Sequence, residues 1–216
     1  MLDYKKQYKD LYQPKTAPSV VDVPEMTFIA LQGQGDPNGE AFALATQTLY
    51  GLSYAIKMSS KGILEYVVPP LEGIWWGEDA ENLDKSRFEW WVVIRQPEFV
   101  TQEIFEAAKI VTAKKKPELR VAEAELIRWT EGLCVQALHI GPYDLETVTI
   151  AAMERFALES GYVLDVVSGN VKNISRRHHE IYLGDPRKTA PEKLKTVIRY
   201  PVRRDEQAGE VSLGDS

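Results

Sequence analysis

The order strand, helix, strand, strand is written twice along these 216 residues, and a repeat of that kind confines the chain to a duplicated α+β architecture. In the first copy, MTFIALQG from Met26 is a short apolar run of β-branched and aromatic residues, bounded by the turn formers of GQGDPNGE. AFALATQTLYGLSYAIKM then sets Phe42, Ala45, Leu49, Leu52 and Ile56 three and four residues apart, the spacing of a helix with one buried stripe, and Asn38 is its expected cap. YVVPPLEGIWWG and SRFEWWVVIRQP follow as two antiparallel strands joined by the acidic loop EDAENLDK. The second copy opens with LCVQALHI as a strand and GPYDLE as a turn. TVTIAAMERFALESGY follows as a helix with Ile150, Met153, Phe156 and Ala157 on one stripe, and then the strands HHEIYLGDP and LKTVIRYPV.

These elements divide the chain. Residues 1–24 are expected to be an N-terminal arm, with a short polar helix at Asp3–Tyr12 and then QPKTAPSVVDVP, whose prolines favour extended chain. Module one spans 25–100, a helical connector interrupted near Pro117 spans 101–130, and module two spans 131–203. Residues 204–216 carry few apolar side chains and read as a disordered tail.

Composition removes several function classes. Hydrophobic residues make up 44% of the chain, enough for a sizeable core. The net charge is −6 and the basic runs are no longer than Lys114–Lys116 and Arg203–Arg204, which argues against direct nucleic-acid binding. No segment approaches the roughly 20 apolar residues of a membrane span, so the expected location is the cytoplasm. The single cysteine, Cys134, lies in an apolar run and reads as core filler. GQGDPNGE lacks the spacing and the Lys-Ser/Thr pair of a phosphate loop, and no Gly-x-Ser-x-Gly is present, so neither a nucleotide cofactor nor a serine nucleophile is expected.

Taken together and in order, LYQPK, GQGDPN, LYGLSYAIKM, VPPLEGIWW, FEWWVVIRQPEFVT, HIGPYDLE and HHEIYLGDPRKTAPEKLKTVIRYPV resemble the GyrI-like small-molecule-binding family over about Leu11 to Arg203. The resemblance implies two strand-helix-strand-strand modules related by pseudo-twofold symmetry, with helices on one sheet face and a ligand cleft between the modules. Relatives of this fold are drug-sensing domains of transcription regulators, modulators of DNA gyrase, and hydrolases that open the cyclopropane ring of DNA-alkylating natural products. No helix-turn-helix segment stands ahead of the motifs here.

In HHEIYLGD, strand alternation puts His178, Glu180 and Tyr182 on one face and His179, Ile181 and Leu183 on the other. Adjacent histidines therefore face apart, and HHE is not expected to hold a metal. Read alone, Glu180 is a solvated charge or a salt-bridge partner of Arg176 or Arg199. The resemblance instead sets it at the family's recurrent acidic position, where it pairs with a cationic ligand or acts on a bound electrophile. The repeat offers Glu72 as its counterpart, so two carboxylates are expected to approach one cleft from opposite sides. Aromatic faces hold flat or cationic ligands, and an apolar wall raises a carboxyl pKa toward the range of proton transfer.

Trp75, Trp76 and Trp129 are the expected aromatic wall, with Trp90 and Trp91 on neighbouring strand positions; the competing reading of each tryptophan is a core residue. Tyr143, at the turn into the second helix, either points into the cleft or braces the turn, and Tyr54 and Tyr182 are open in the same way. His178 is an expected ligand contact, whereas His139 reads first as a hydrogen-bonded core histidine. The leading expectation is a monomer or weak dimer that sequesters a hydrophobic small molecule, aromatic and in some cases cationic, without a cofactor. The alternative is a hydrolase in which Glu180 activates water and Tyr143 or Tyr182 donates a proton. A protein-interaction role of the gyrase-modulating sort is the weakest of the three.

Overall fold

The computed structural model describes residues 1–62, 64–76, 85–167 and 174–205. All but the last residue of the EDAENLDK loop, and the tail from residue 206, lie outside the described residues. The elements run α1 (Tyr4–Gln7), α2 (Lys9–Tyr12), β1 (Ser19–Gln34), α3 (Glu40–Ser59), β2 (Leu71–Trp76), β3 (Glu89–Gln96) and α4 (Gln102–Lys115). They continue with β4 (Glu125–Ile140), α5 (Glu146–Glu159), β5 (Tyr162–Leu164), β6 (His178–Tyr182) and β7 (Lys195–Arg204).

All strand pairings are antiparallel, in the order β4-β1-β3-β2-β6-β7-β5. A further pairing of β7 with β4 closes six of the strands into a barrel. Closure leaves few unpaired strand edges, and it makes an inside and an outside of every strand. In β3, Trp91 and Val93 point into the barrel, while Trp90, Val92 and Ile94 point outward under α3 and α4. An unbroken apolar run such as WWVVI is what a strand covered on both faces requires. The helix stripe read from the sequence is buried as expected, with Ala45, Leu49, Leu52 and Ile56 closed against β1 and β3. Helix α5 covers β4 and β7 through Met153 and Ala157, which meet Val135, Ala137 and Ile198.

Two strands are longer than their sequence signals. β1 begins at Ser19 rather than Met26, and β4 begins at Glu125, so Trp129 belongs to a strand and not to the helical connector. The alternation hides this because the two strands switch faces together. Val23 and Cys134 point inward on one side of the switch and Met26 and Trp129 on the other, with Pro24 and the left-handed Gly132 (φ +76°) between them. Asn38 is not the cap of α3. Gly39 holds that position, and Asn38 donates its backbone and side-chain N–H groups to Asp36 Oδ1 at 2.8 and 3.1 Å.

The arm is more than a lead-in. Tyr4, Leu11 and Tyr12 are buried in the cluster that fills the barrel, and the Arg95 guanidinium lies 4.1 Å from the Tyr4 ring and 4.3 Å from the Tyr8 ring. The helices α3, α4 and α5 cover the outside of the barrel, and the arm packs into its inside.

Candidate functional site

Strand β6 is five residues long, and its outer face carries His178, Glu180 and Tyr182. Its register with β2 sets Gly73 beside Glu180 and Trp75 beside His178, and its register with β7 sets Ile198 beside Glu180. This stretch of outer sheet lies between α3 and α5. Phe42 of α3 stacks on Trp75 with centroids 5.4 Å apart, and Glu146, the first residue of α5, reaches Glu180 from the other side. The result is a stretch of outer sheet on which aromatic side chains flank two carboxyl groups, the candidate floor of a ligand cleft.

Gly73 makes the floor possible. A Cβ there would stand 2.6 Å from both Trp75 Nε1 and the Tyr182 hydroxyl, so the missing side chain is what lets Trp75 donate to Tyr182 at 3.0 Å in front of the sheet. The Tyr182 hydroxyl in turn bonds Glu180. Burial and the adjacent Glu180 charge push the Tyr182 hydroxyl well above its ordinary value, so it stays a proton donor. Tyr143 meets the Tyr182 ring edge-on at 5.8 Å and forms no hydrogen bond to the described residues. Burial, and then the charges of Glu180 and Glu146, raise Tyr143 to about 12.

The two carboxyl groups are unequal. Burial opposes charge on Glu180, but hydrogen bonds from His178, Tyr182 and Glu146 outweigh it and hold Glu180 below its ordinary value. The His178 contact is short, with Nε2 donating to Oε1 at 2.6 Å. Glu146 is 6% exposed, and burial first, then the Glu180 charge and their shared hydrogen bond, push it up to about 9. With both groups ionised two buried carboxylates would meet, a conflict that the hydrogen bond from Thr196 does not offset, and Glu146 Oε1 has no partner among the described residues. One proton between the two carboxyls removes that conflict, and the pair then holds an acid and a base at neutral pH.

Glu146, His178 and Glu180 also offer three ligand atoms within 4.8 Å of one another. Such a donor set suits a small divalent ion. Its short contacts are accounted for by the His178 donor and the proton shared by the carboxyls.

The structure brings Glu180, His178, Tyr182, Trp75 and Tyr143 together. Trp76 and Trp129 point into the barrel, on the far side of the sheet, as does Trp91, and Trp90 is buried under α3. Tyr54 is exposed on α3, stacked on Tyr50 at 6.4 Å. Glu72 and Glu180 do not face one cleft. The register pairs Glu72 with Ile181 and Gly73 with Glu180, and a one-residue offset sends the two carboxylates to opposite faces. The carboxyl that does meet Glu180 is Glu146, which the sequence concealed as the last letter of the GPYDLE turn. The expected arginine partners of Glu180 are engaged elsewhere, Arg176 with Asp165 and Arg199 with Glu131. His139 is a hydrogen-bonded core histidine, held by Thr149 Oγ1 at 2.8 Å and the Pro142 carbonyl at 3.1 Å.

Inside the barrel, Glu72 belongs to a second polar cluster. His179 Nε2 meets Glu72 Oε2 at 3.0 Å and its Nδ1 meets Glu131 Oε1 at 2.9 Å. Burial disfavours the imidazolium, but Glu131 and Glu72 outweigh it and raise His179 to about 9, while His179 and Arg199 hold Glu131 low against its own burial. Arg199 continues the network to Glu131 at 3.2 Å, to Gln136 at 2.9 Å and to the Leu11 carbonyl of the arm.

Among solved structures, an uncharacterised conserved protein from Listeria innocua is similar to this chain, with 44% identity, a TM-score of 0.87, and coverage of 94% of this chain and all of its own. Two structures named as hydrolases from Listeria innocua are similar in the same way. They have 42% and 43% identity, a TM-score of 0.84 each, and coverage of 94% of this chain and 100% and 99% of theirs. No functionally curated protein is significantly similar to it. Among the described residues no helix is long and apolar enough to cross a membrane. The sequence profile of the GyrI-like small molecule binding domain matches residues 16–203, which include every group of the cleft, and the chain therefore belongs to that family.

Proposed function

We propose that the outer cleft binds a flat, apolar small molecule and adds water to an electrophilic carbon within it, with Glu180 as general base and Glu146 as general acid. The observation that carries this reading is the meeting of the Glu146 and Glu180 carboxyls with His178, their polar atoms within 4.8 Å of one another beside Trp75; the upward push on Glu146 and the donors holding Glu180 low assign the acid and the base. The substrate class is a strained ring conjugated to an oxygen, of the cyclopropane-bearing alkylating kind. Glu180 takes a proton from water as the water oxygen bonds to the ring carbon and a ring bond breaks. The electron pair of that bond moves to the conjugated oxygen, which takes the proton of Glu146. Transfer between the two carboxyls then returns the proton from Glu180 to Glu146 and resets the site. Tyr143, whose hydroxyl has no hydrogen-bond partner among the described residues, is the second donor for that oxygen, while Tyr182 is spent on Glu180. The same reading takes β1-α3-β2-β3 and β4-α5-β6-β7 as two related modules whose junction, at the β2–β6 pairing, forms the floor of the cleft.

Sequestration without turnover is the second reading, favoured by the grouping of Trp75, Tyr143 and Tyr182 around the carboxyls, aromatic surface on which a flat ligand can pack whether or not chemistry follows. The two part on stoichiometry. With a large molar excess of a cyclopropane-bearing alkylating compound, a hydrolase converts many equivalents to the water adduct. A sequestering protein quenches Trp75 fluorescence saturably and leaves the compound intact. No conversion by the wild-type protein refutes the hydrolytic reading.

A further inference from the structure

The inner cluster around His179 has no part in the chemistry above, yet it sits one peptide bond from Glu180. β6 pairs over only four residues with β2 and four with β7, so backbone hydrogen bonds alone fix its pleat weakly. Its inner face carries just His179 and Ile181, and His179 is 1% exposed with both ring nitrogens engaged. The two carboxylates it bonds come from different walls of the barrel, Glu72 from β2 beside it and Glu131 from β4 across the interior. Only an imidazolium donates to both at once, because a neutral ring has one N–H. Glu131 is held in turn by Arg199, and Arg199 by Gln136 and by the Leu11 carbonyl. Gln136 Nε2 donates to the Asp10 carbonyl at 2.6 Å, and the Tyr12 hydroxyl donates to Glu72 Oε1 at 3.4 Å. The ends of this network therefore lie in the N-terminal arm, and residues 1–15 precede the part of the chain that the family profile matches.

We infer that His179 is a positioning residue, and that the arm completes the clamp that holds it. By fixing the inner face of β6 between Glu72 and Glu131, His179 sets the height at which Glu180 meets Glu146 on the outer face. A shift of β6 by about 1 Å carries Glu180 away from Glu146 and opens the carboxyl pair with every side chain of the cleft still present. The inference rests on the reading of Glu180 and Glu146 as the working pair, but it makes its own mark on the protein without ligand.

The test compares wild type with His179→Asn, His179→Lys and Glu72→Gln in the full chain. Asparagine removes the charge and one donor, lysine keeps a cation able to reach both carboxylates, and glutamine keeps the shape of Glu72 while weakening the clamp. The first readout is the titration of the Glu146 carboxyl by carbon-13 NMR in the ligand-free protein. His179→Asn is expected to move that midpoint down from its wild-type position by a pH unit or more, Glu72→Gln to move it less in the same direction, and His179→Lys to restore it. The second readout is turnover of the cyclopropane compound. There kcat is expected to fall by about 100-fold in His179→Asn with KM nearly unchanged, because misplacement by about 1 Å costs that much.

Wild-type titration and kcat in a folded His179→Asn, or asparagine and lysine behaving alike, would overturn the inference. If His179→Asn does not fold, Glu72→Gln decides, and an unchanged Glu146 midpoint there overturns it equally. Absence of turnover in the wild type would instead strike the hydrolytic reading and leave the NMR result to stand on its own.

Discussion

Glu146 and Glu180 meet at the junction of α5 with β6 as a hydrogen-bonded pair in which the first keeps its proton and the second gives it up. The asymmetry has plain causes. Glu180 has the donors of His178 and Tyr182 to stabilise its charge, whereas Glu146 lies deep with the Glu180 charge in front of it. A carboxylate and a carboxylic acid within one hydrogen bond are the materials of general acid-base chemistry, and they stand beside the Trp75 and Phe42 rings where a flat ligand would lie.

Glu180→Gln removes the base while leaving the wall intact. Turnover is expected to fall by about 10²–10⁴-fold, the usual contribution of a positioned acid or base, with ligand affinity by Trp75 fluorescence changed little. Loss of binding together with turnover would assign Glu180 to ligand charge instead.

Glu146→Gln keeps a hydrogen-bond donor toward Glu180 but has no proton to give. The natural carboxyl costs stability, because in the unfolded chain it ionises above its ordinary 4.5 while in the folded protein it stays neutral to about 9. Its contribution is therefore fully present below 4.5 and is lost as pH rises through that interval. At pH 8 the variant is expected to be the more stable protein by about 1 kcal/mol, roughly 2–4 °C in Tm for a chain of this size, and to be the poorer catalyst. Thermal melts and product assays on the same samples check both halves.

The pH dependence of catalysis follows from the same pair. With Glu180 as the base and Glu146 as the acid, as proposed, kcat/KM is expected to be flat through neutral pH and to fall as pH rises through about 9. On the acid side the fall comes below the ordinary glutamate range, since Glu180 is held low. An alkaline limb that sets in well below pH 9, or an acid limb above the ordinary glutamate range, would contradict the assignment of roles.

Stability responds to the inner cluster as well. His179 ionises near 6.5 when unfolded and near 9 when folded, so the stabilisation from its charge is complete below 6.5 and is lost as pH rises through about 9. Glu131 is shifted the other way, and its contribution is lost as pH falls below its ordinary 4.5. Urea titrations are expected to show greater stability at pH 6 than at pH 9.5, with the difference reduced in His179→Lys.

Gly73→Ala tests the floor. Its Cβ would meet Trp75 Nε1 and the Tyr182 hydroxyl at 2.6 Å each, so the bond between them must break. The indole N–H band in ultraviolet resonance Raman spectra is expected to shift, with a cost of about 1–3 kcal/mol for the displaced polar groups.

Much of this was legible in the sequence. The stripe of α3 and the alternation of β6 gave away a buried helix and a strand with His178, Glu180 and Tyr182 on one face, and the run of family motifs located the Glu180 strand within the chain; that the opposite face is also polar, through His179, was not legible. What alternation could not reveal was a place where it breaks, so the first halves of β1 and β4 went unread around Pro24 and Gly132. Register was the deeper obstacle. The repeat pattern sets Glu72 and Glu180 in matching strands, but strand pairing offsets them by one residue, and a period of two turns that offset into opposite faces. Glu146 carried no signal because an acidic residue in the first turn of a helix is the commonest of surface features. Only the return of β6 beside the first turn of α5 makes it a partner of Glu180.

The most direct test of the central claim is a reaction in oxygen-18 water. Wild type and Glu180→Gln are each given excess cyclopropane-bearing alkylating compound, and the products are weighed by mass spectrometry. Multiple turnovers to an adduct carrying one labelled oxygen, abolished in the variant, are the predicted result. Unchanged compound with wild-type protein, or labelled adduct formed equally well by Glu180→Gln, would contradict the account.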